Sequence, residues 1–228
     1  MWGRKQKLVQ SVEDPKVRHH GGYPEVKNPE ISQFILNTIV PIVGTSPYPL
    51  SELQLMVSAV CWLRPRKIIE WGTYIGTSAR IFSETITYYN VPATVYSIDL
   101  PSDVSHIEHP GKECGRMVRA MSNVHLIQGD GVTEATKILG ESKGYQALVF
   151  LDGDHAYSSV KRELQILGKR YPLLSILLHD TFDQVKASGY NTGPHQAIRE
   201  YLSSHPSKYS TFETCLGLPG MTLLLPKK

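Results

Sequence analysis

The chain has 228 residues, 41% of them hydrophobic, and a formal net charge of +3. That is enough for one α/β domain with a full core and a short N-terminal extension. The 24 Lys and Arg residues are spread along the sequence, which argues against a nucleic-acid partner, and no apolar run of 18 residues could span a membrane. Cys61, Cys114 and Cys215 lie far apart, are odd in number and lack zinc-ligand spacing. The start, Met-Trp-Gly-Arg-Lys-Gln-Lys, has no apolar signal-peptide core, so a cytoplasmic protein is expected. A homo-oligomer stays open.

Residues 1–50 are expected to form an N-terminal arm and a cover helix, ahead of a main domain over 51–228. Met1 to about Glu30 is polar and carries Pro15, Pro24 and Pro29. It reads as a loosely ordered arm or a substrate-side lid. Ile31, Phe34, Ile35 and Ile39 have helical apolar spacing over Ile31–Val43, with an end near Pro41. Ser51-x-x-Gln54 matches a capping box for a second helix, which Pro65 stops.

Short apolar runs then alternate with helical patterns. Strands are expected at Lys67–Trp71, Thr94–Asp99, Val124–Gln128, Ala147–Leu151 and Leu173–Leu178. Helices are expected at Thr77–Tyr89, Lys112–Met121, Thr133–Leu139, Tyr157–Arg170 and Pro194–Ser204. Tyr209–Cys215 and Met221–Leu225 flank Gly217-Leu-Pro-Gly220 and read as a hairpin. The alternation predicts an α/β fold, a parallel sheet covered by helices on both faces, with one antiparallel strand at the end. The long, Pro-, Gly- and Ser-rich connections Leu100–Lys112 and Thr181–Pro194 are expected to be mobile and to face an acceptor.

The stretch Lys67-Ile-Ile-Glu-Trp-Gly-Thr-Tyr-Ile-Gly-Thr-Ser78 is a strand, a glycine turn and a helix start. Glu70 stands at the strand's end. Gly72 and Gly76 allow close approach to a ligand, Thr73 lies in the turn, and Thr77 and Ser78 can cap the helix. No lysine follows Gly76, so this is not a P-loop. The Gly-x-x-x-Gly spacing disfavours a dinucleotide without excluding one. A carboxylate beside the turn suits S-adenosylmethionine, which carries a sulfonium and an ammonium group and no phosphate.

Nearly every strand ends in an acid: Glu70, Asp99, Asp152 and Asp180, with Asp130 two residues past the third. In a parallel sheet these ends share the edge where ligands bind. Asp99 can accept from ribose hydroxyls, and Asp130 either accepts from an adenine amino group or shapes a turn. Asp152, Asp154, His155, His179 and Asp180 form a second centre. Carboxylates brought together repel one another, and a cation relieves the repulsion. Mg²⁺ suits an oxygen-rich site, while His179 as a ligand pulls the preference toward Mn²⁺, Fe²⁺ or Zn²⁺. A hydrogen-bonded loop with no metal is the alternative. His106-x-x-His109 reads as solvated, and His195 and His205 as surface.

Glu-Trp-Gly-Thr-Tyr-Ile-Gly-Thr-Ser78, Ser-Ile-Asp99, Leu-Asp-Gly-Asp-His-Ala-Tyr157 and Leu-His-Asp-Thr181 together resemble the class I S-adenosylmethionine-dependent methyltransferases. The Asp-Gly-Asp-His-x-Tyr and His-Asp-Thr pieces are similar to the branch of cephalosporin-hydroxylase-like proteins and macrolide sugar O-methyltransferases, and more distantly to catechol and caffeoyl-CoA O-methyltransferases. The resemblance spans roughly Ser51 to Leu225. It implies a Rossmann-like, seven-stranded, mostly parallel sheet with an antiparallel last strand. It implies S-adenosylmethionine at Glu70, Gly72, Thr73, Gly76, Ser78, Asp99 and Asp130. It also implies a divalent metal such as Mg²⁺ on Asp152, His179 and Asp180. The catechol-type enzymes carry Asp, Asp and Asn at the metal and a lysine where His155 stands here. The expected reaction is metal-assisted O-methylation of a small hydroxylated molecule, with Asp152 and His155 catalytic and His155 as base. A metal-dependent hydroxylase or oxidoreductase and a non-catalytic adenosylmethionine-binding protein remain the rivals.

Overall fold

The computed structural model describes residues 28–101, 103–104, 110–184, 190–214 and 216–227. The expected arm up to residue 27, the His106/His109 pair, Cys215 and parts of both expected loops lie outside the described residues. The elements are α1 (Asn28–Phe34), a π-helical turn (Ile35–Ile39), α2 (Val40–Val43), α3 (Leu50–Leu63), β1 (Lys67–Trp71), α4 (Thr77–Tyr88), β2 (Thr94–Asp99), β3 (Val124–Gln128), α5 (Gly131–Leu139), β4 (Ala147–Leu151), α6 (Tyr157–Arg170), β5 (Ser175–His179), α7 (Gly193–Ser204), β6 (Tyr209–Thr214) and β7 (Met221–Pro226). The seven strands form one sheet in the order β3-β2-β1-β4-β5-β7-β6. β1 to β5 run parallel, and β7 inserts antiparallel between β5 and β6. The expected fold class stands.

β4 is buried at all five positions, as a central parallel strand must be. Side chains alternate across the sheet and feed two cores. Ile68, Leu148, Phe150 and Leu177 face one core with Ile31, Phe34, Ile39, Leu53, Met56, Phe82 and Tyr48. Ile69, Trp71, Val149 and Leu178 face the other with Leu164, Leu167, Ala197 and Ile198. The N-terminal helices thus complete the first core and cover the same face on which Glu70 and His179 stand.

The first helical stretch ends at Val43, as its spacing predicts, and runs through Pro41. Proline has no N–H and crowds the preceding turn, and the π-helical stretch just before it accommodates this: Val40 N–H bonds Ile35 O, one residue further back than in an α-helix. Three local expectations need correction. Ser51 and Gln54 form no capping box, because α3 starts at Leu50 with Pro49 as N-cap. Neither Thr77 nor Ser78 caps α4, whose N-cap is Gly76 at φ +94°. Lys112–Met121 is not a helix but a 3₁₀ turn, Gly111–Glu113, followed by further turns. Gly111 and Gly115 adopt φ +56° and +68°. Gly115 N–H bonds Tyr74 O at 2.7 Å and Met117 N–H bonds Ile75 O at 3.0 Å, so the segment braces the β1–α4 loop while short turn bonds such as Cys114 N–H to Gly111 O and Val118 N–H to Gly115 O hold it together.

The β1–α4 loop depends on Gly72 for a reason other than ligand approach. At φ +93° a Cβ there would lie 2.0 Å from the Asp152 carbonyl oxygen. We expect Gly72→Ala to cost about 3 kcal/mol or more, since backbone has to move. Gly44→Ala, at φ +76° with nothing within 4 Å, should cost about 1–2 kcal/mol from conformation alone. Urea denaturation of the two variants measures the difference; equal losses would refute the role assigned to Gly72.

Candidate active site

One centre is built around Glu70, which is 1% exposed. Ser97 Oγ on β2 donates to Glu70 Oε1 at 2.5 Å. That uses the hydroxyl proton of Ser97, so Thr73 Oγ1 is the donor in its 2.7 Å bond with Ser97. Glu70 Oε2 is buried and has no hydrogen-bond partner among the described residues. Burial pushes the carboxyl up to about 7, opposed by the Ser78 and Ser97 hydroxyls and reinforced by the charges of Asp152 and Asp99. A buried carboxylate oxygen of this kind strongly favours a cationic partner. Thr73 and Ser78 therefore serve the carboxylate, and Gly72 and Gly76 shape the loop that holds it.

Asp99 ends β2 on the same edge. Tyr74 N–H donates to its Oδ2 and Leu100 N–H to its Oδ1, both at 2.8 Å. Asp130 caps α5: its Oδ1 accepts from Thr133 N–H at 2.9 Å and from Thr133 Oγ1 at 2.6 Å, and Arg162 lies 3.3 Å from Oδ2. Despite some burial, those bonds hold its carboxyl below the usual range. Asp130 is thus the N-cap of α5.

The second centre joins the ends of β4 and β5. Leu151 pairs with Leu178, so Asp152 and His179 emerge side by side. Successive residues of an extended strand point to opposite faces, which would separate His179 from Asp180. The backbone resolves this at Asp180 itself, which adopts a left-handed φ of +56°. Such strain costs about 1–3 kcal/mol in a non-glycine residue. The surrounding buried strands hold it, each large apolar side chain contributing about 1.5–3 kcal/mol. As a result Asp152, His179 and Asp180 each offer a ligand atom, all within 4.8 Å of one another.

His179 Nδ1 lies 2.9 Å from Asp152 Oδ1 and 3.5 Å from Asp180 Oδ1. His179 Nε2 lies 3.0 Å from Glu52 Oε2. Burial alone would discharge the ring, but the Asp152 charge, the bonds to Asp152 and Glu52, and the Asp180 charge raise its pKa well above the ordinary value. Tyr48 donates its hydroxyl to Asp152 Oδ2. Burial, then the Asp152 charge, keeps that phenol neutral. Asp180 is buried too, but His155 Nδ1 at 2.7 Å, the His179 charge and Tyr190 more than offset desolvation and lower it to about 2. Tyr190 Oη at 2.7 Å and Asn191 Nδ2 at 3.1 Å complete its partners.

Most sequence-predicted residues thus assemble into two adjoining groups, but Asp130 stands apart as a helix cap, and Asp154, expected in the second centre, instead accepts from Ala156 N–H and Ser159 Oγ at the start of α6. Sequence reasoning missed Glu52 and Tyr48. Glu52 left a signal: it stands on the buried stripe of α3 with Leu53, Met56, Val57 and Val60. Glu163 was missed for the same reason; 7% exposed, it accepts from Trp71 Nε1 at 2.9 Å on the opposite face of the sheet.

Glu70 and Glu163 both have folded pKa values of about 7, raised chiefly by burial from 4.5. Each binds its proton more tightly in the folded state, so the stability it adds is complete below about 4.5 and is lost as pH rises toward 7. His179 acts in the same direction only above about 6.5, and Asp180 in the opposite direction only below about 4. The urea midpoint of the ligand-free protein should therefore fall between about pH 5 and 6.5, and Glu163→Gln should remove part of that fall. A flat profile over this window would contradict the assignment.

Residues 40–215 match the family model described as rhamnosyl O-methyltransferase/CmcI. The uncharacterized protein y4gI of Sinorhizobium fredii is 27% identical over 161 residues, 68% of this chain, and the chain spans 17% of that relative's length. Solved structures share the fold at low identity. An O-methyltransferase from Bacillus cereus in complex with SAH superposes with TM-score 0.54 at 17% identity, covering 96% of this chain and 97% of its own. The O-methyltransferase TomG from Streptomyces achromogenes, in complex with SAM, gives 0.55 at 14%, covering 90% and 92%. The O-methyltransferase NovP gives 0.58 at 12%, covering 86% and 100%. With the family model matched over residues 40–215, most of its length, the chain belongs to the rhamnosyl O-methyltransferase/CmcI family.

Proposed function

We propose that this chain moves the methyl group of S-adenosylmethionine onto a hydroxyl of a small molecule, assisted by a divalent cation on Asp152, His179 and Asp180. The observation that carries the reading is the convergence of those three ligand atoms within 4.8 Å, reached through a left-handed residue at Asp180. Their proximity to Glu70 is felt electrostatically, since the Asp152 charge helps to raise the Glu70 pKa.

The residues fit both groups. Glu70 Oε2, buried and without a partner among the described residues, suits the ammonium of the cofactor. Asp99, its carboxylate fixed by two backbone N–H groups, suits the ribose hydroxyls. Asp130 would reach an adenine amino group through Oδ2, which it shares with Arg162, because Oδ1 is spent on capping. Two carboxylates and an imidazole nitrogen make a donor set for Mg²⁺ or, with more nitrogen character, Mn²⁺ or Fe²⁺. The proton that His179 Nδ1 shares with Asp152 and the cation compete for one position. When bound, the cation supplies positive charge that favours the ionised form of the acceptor hydroxyl.

His155 is the base in this reading. Asp180 Oδ2 fixes the ring through Nδ1, which assigns proton uptake to Nε2. At 21% side-chain exposure, His155 is more open than Asp180 at 4%. The family's description supports a sugar hydroxyl as acceptor. Tyr190 and Asn191, hydrogen-bonded to Asp180, tie the segment around residue 190 to the same edge.

Two sets of measurements test this. EDTA should abolish transfer while leaving adenosylhomocysteine binding nearly intact, and Asp152→Asn should do the same. His155→Gln should lower turnover by about 10²–10⁴-fold with the ion still bound. Asp99→Ala should weaken adenosylhomocysteine at least tenfold, about 1.4 kcal/mol, in calorimetry. Full activity in EDTA would remove the ion from the reaction, and a protein that binds no adenosylhomocysteine would sink the cofactor assignment.

A further inference from the structure

We propose that Glu52 is a positioning residue that presents His179 Nδ1 to the ion, and that this pairing makes the site prefer Mn²⁺ to Mg²⁺. The inference rests on the metal reading above and adds a residue and an ion to it.

Glu52 is 1% exposed and reaches across from α3 to the end of β5. Both of its oxygens are used. Oε1 accepts from Gly220 N–H at 2.7 Å, and Oε2 meets His179 Nε2 at 3.0 Å. The two bonds fix the carboxylate's rotation. An ionised carboxylate only accepts, so Nε2 must carry the hydrogen. The aromatic rings of Tyr48 and Phe150, with centroids 4.9 and 6.4 Å from the imidazole, limit its tilt. Nδ1 then faces Asp152 Oδ1 and Asp180 Oδ1, on the other two residues of the cluster.

Helix packing does not call for an acid here. The buried face of α3 is otherwise Leu53, Met56, Ala59, Val57 and Val60. Burying a carboxylate is expensive, and an apolar residue of similar volume generally packs as well or better. What Glu52 adds is control of the tautomer. A carboxylate behind a ligating histidine orients the ring and raises its basicity, and losing such a partner typically costs 10–100-fold in metal affinity. An imidazole so prepared favours Mn²⁺, which accepts nitrogen readily, over Mg²⁺, which holds to oxygen and water.

Glutamine at this position separates tautomer control from packing. Its amide has one acceptor atom, so it cannot serve both Gly220 N–H and His179 Nε2–H. The full chain is titrated with Mn²⁺ alone, with free ion followed by electron paramagnetic resonance. Wild type should bind one Mn²⁺, show ¹⁴N modulation in the spin-echo envelope, and release the ion only to at least tenfold excess Mg²⁺. Glu52→Gln should bind Mn²⁺ 10–100-fold more weakly with the ¹⁴N signal diminished. If that variant does not fold, ¹⁵N chemical shifts of the Mg²⁺-loaded wild type decide, and His179 should be the Nε2–H tautomer. A wild type that binds no Mn²⁺ overturns the metal reading and this inference together. Binding without ¹⁴N modulation, release at equimolar Mg²⁺, unchanged affinity in Glu52→Gln, or an Nδ1–H tautomer overturns this inference alone.

Discussion

The larger of the two centres at the carboxyl edge of this sheet is arranged around one imidazole between carboxylates. His179 contacts Asp152 through Nδ1 and Glu52 through Nε2, with Asp180 a further 3.5 Å neighbour. Three acids this close repel one another, and burial multiplies the cost. The protein offsets it with donors: Tyr48 to Asp152, Gly220 N–H to Glu52, and His155, Tyr190 and Asn191 to Asp180. These donors come from the segment before α3, the residue before β7, the β4–α6 loop and the connection before α7. The cluster is therefore where the N-terminal cover, the central sheet and the closing hairpin are tied together.

The sheet was readable because its signals are local. Five apolar runs each end near an acid, and a parallel sheet places such ends on one edge whatever the details of packing. Glu70, Asp99, Asp152 and Asp180 follow from that rule, and so does the grouping of His179 with Asp152 once the strand order is known. The helix expected over Lys112–Met121 fails because the left-handed Gly115 and, two residues on, Met117 give their N–H groups to the β1–α4 loop, a tertiary demand that periodicity does not carry. The capping box at Ser51 fails more simply: α3 begins two residues earlier, with Pro49 and not Ser51 as its N-cap.

Glu52 and Tyr48 were hidden for another reason. Each acts across more than a hundred residues of sequence, Glu52 on His179 and Tyr48 on Asp152. One sequence contains no trace of such a pairing, except that an acid on the apolar face of a helix asks for a buried partner. The left-handed φ of Asp180 was likewise invisible. Alternation along an extended strand would send His179 and Asp180 to opposite faces, and the structure departs from it at Asp180 itself.

Two buried carboxyls on this edge are pushed in opposite directions, and that divides the site into roles. Asp180 is lowered to about 2 because His155, His179 and Tyr190 outweigh its desolvation. Glu70 is raised to about 7 because two serine hydroxyls do not outweigh its own burial. Environments that drive two acids apart assign them different tasks. Asp180 is an anion at every physiological pH, fitted to organise cations and a histidine. Glu70 sits near its own midpoint, so a cationic ligand would draw out its proton and gain a full charge partner in a dry site. The same fold edge thus carries one permanent anion on the acceptor side of the proposed reaction and one conditional anion on the cofactor side. The conditional one costs the ligand-free protein little, because while protonated it brings no buried charge.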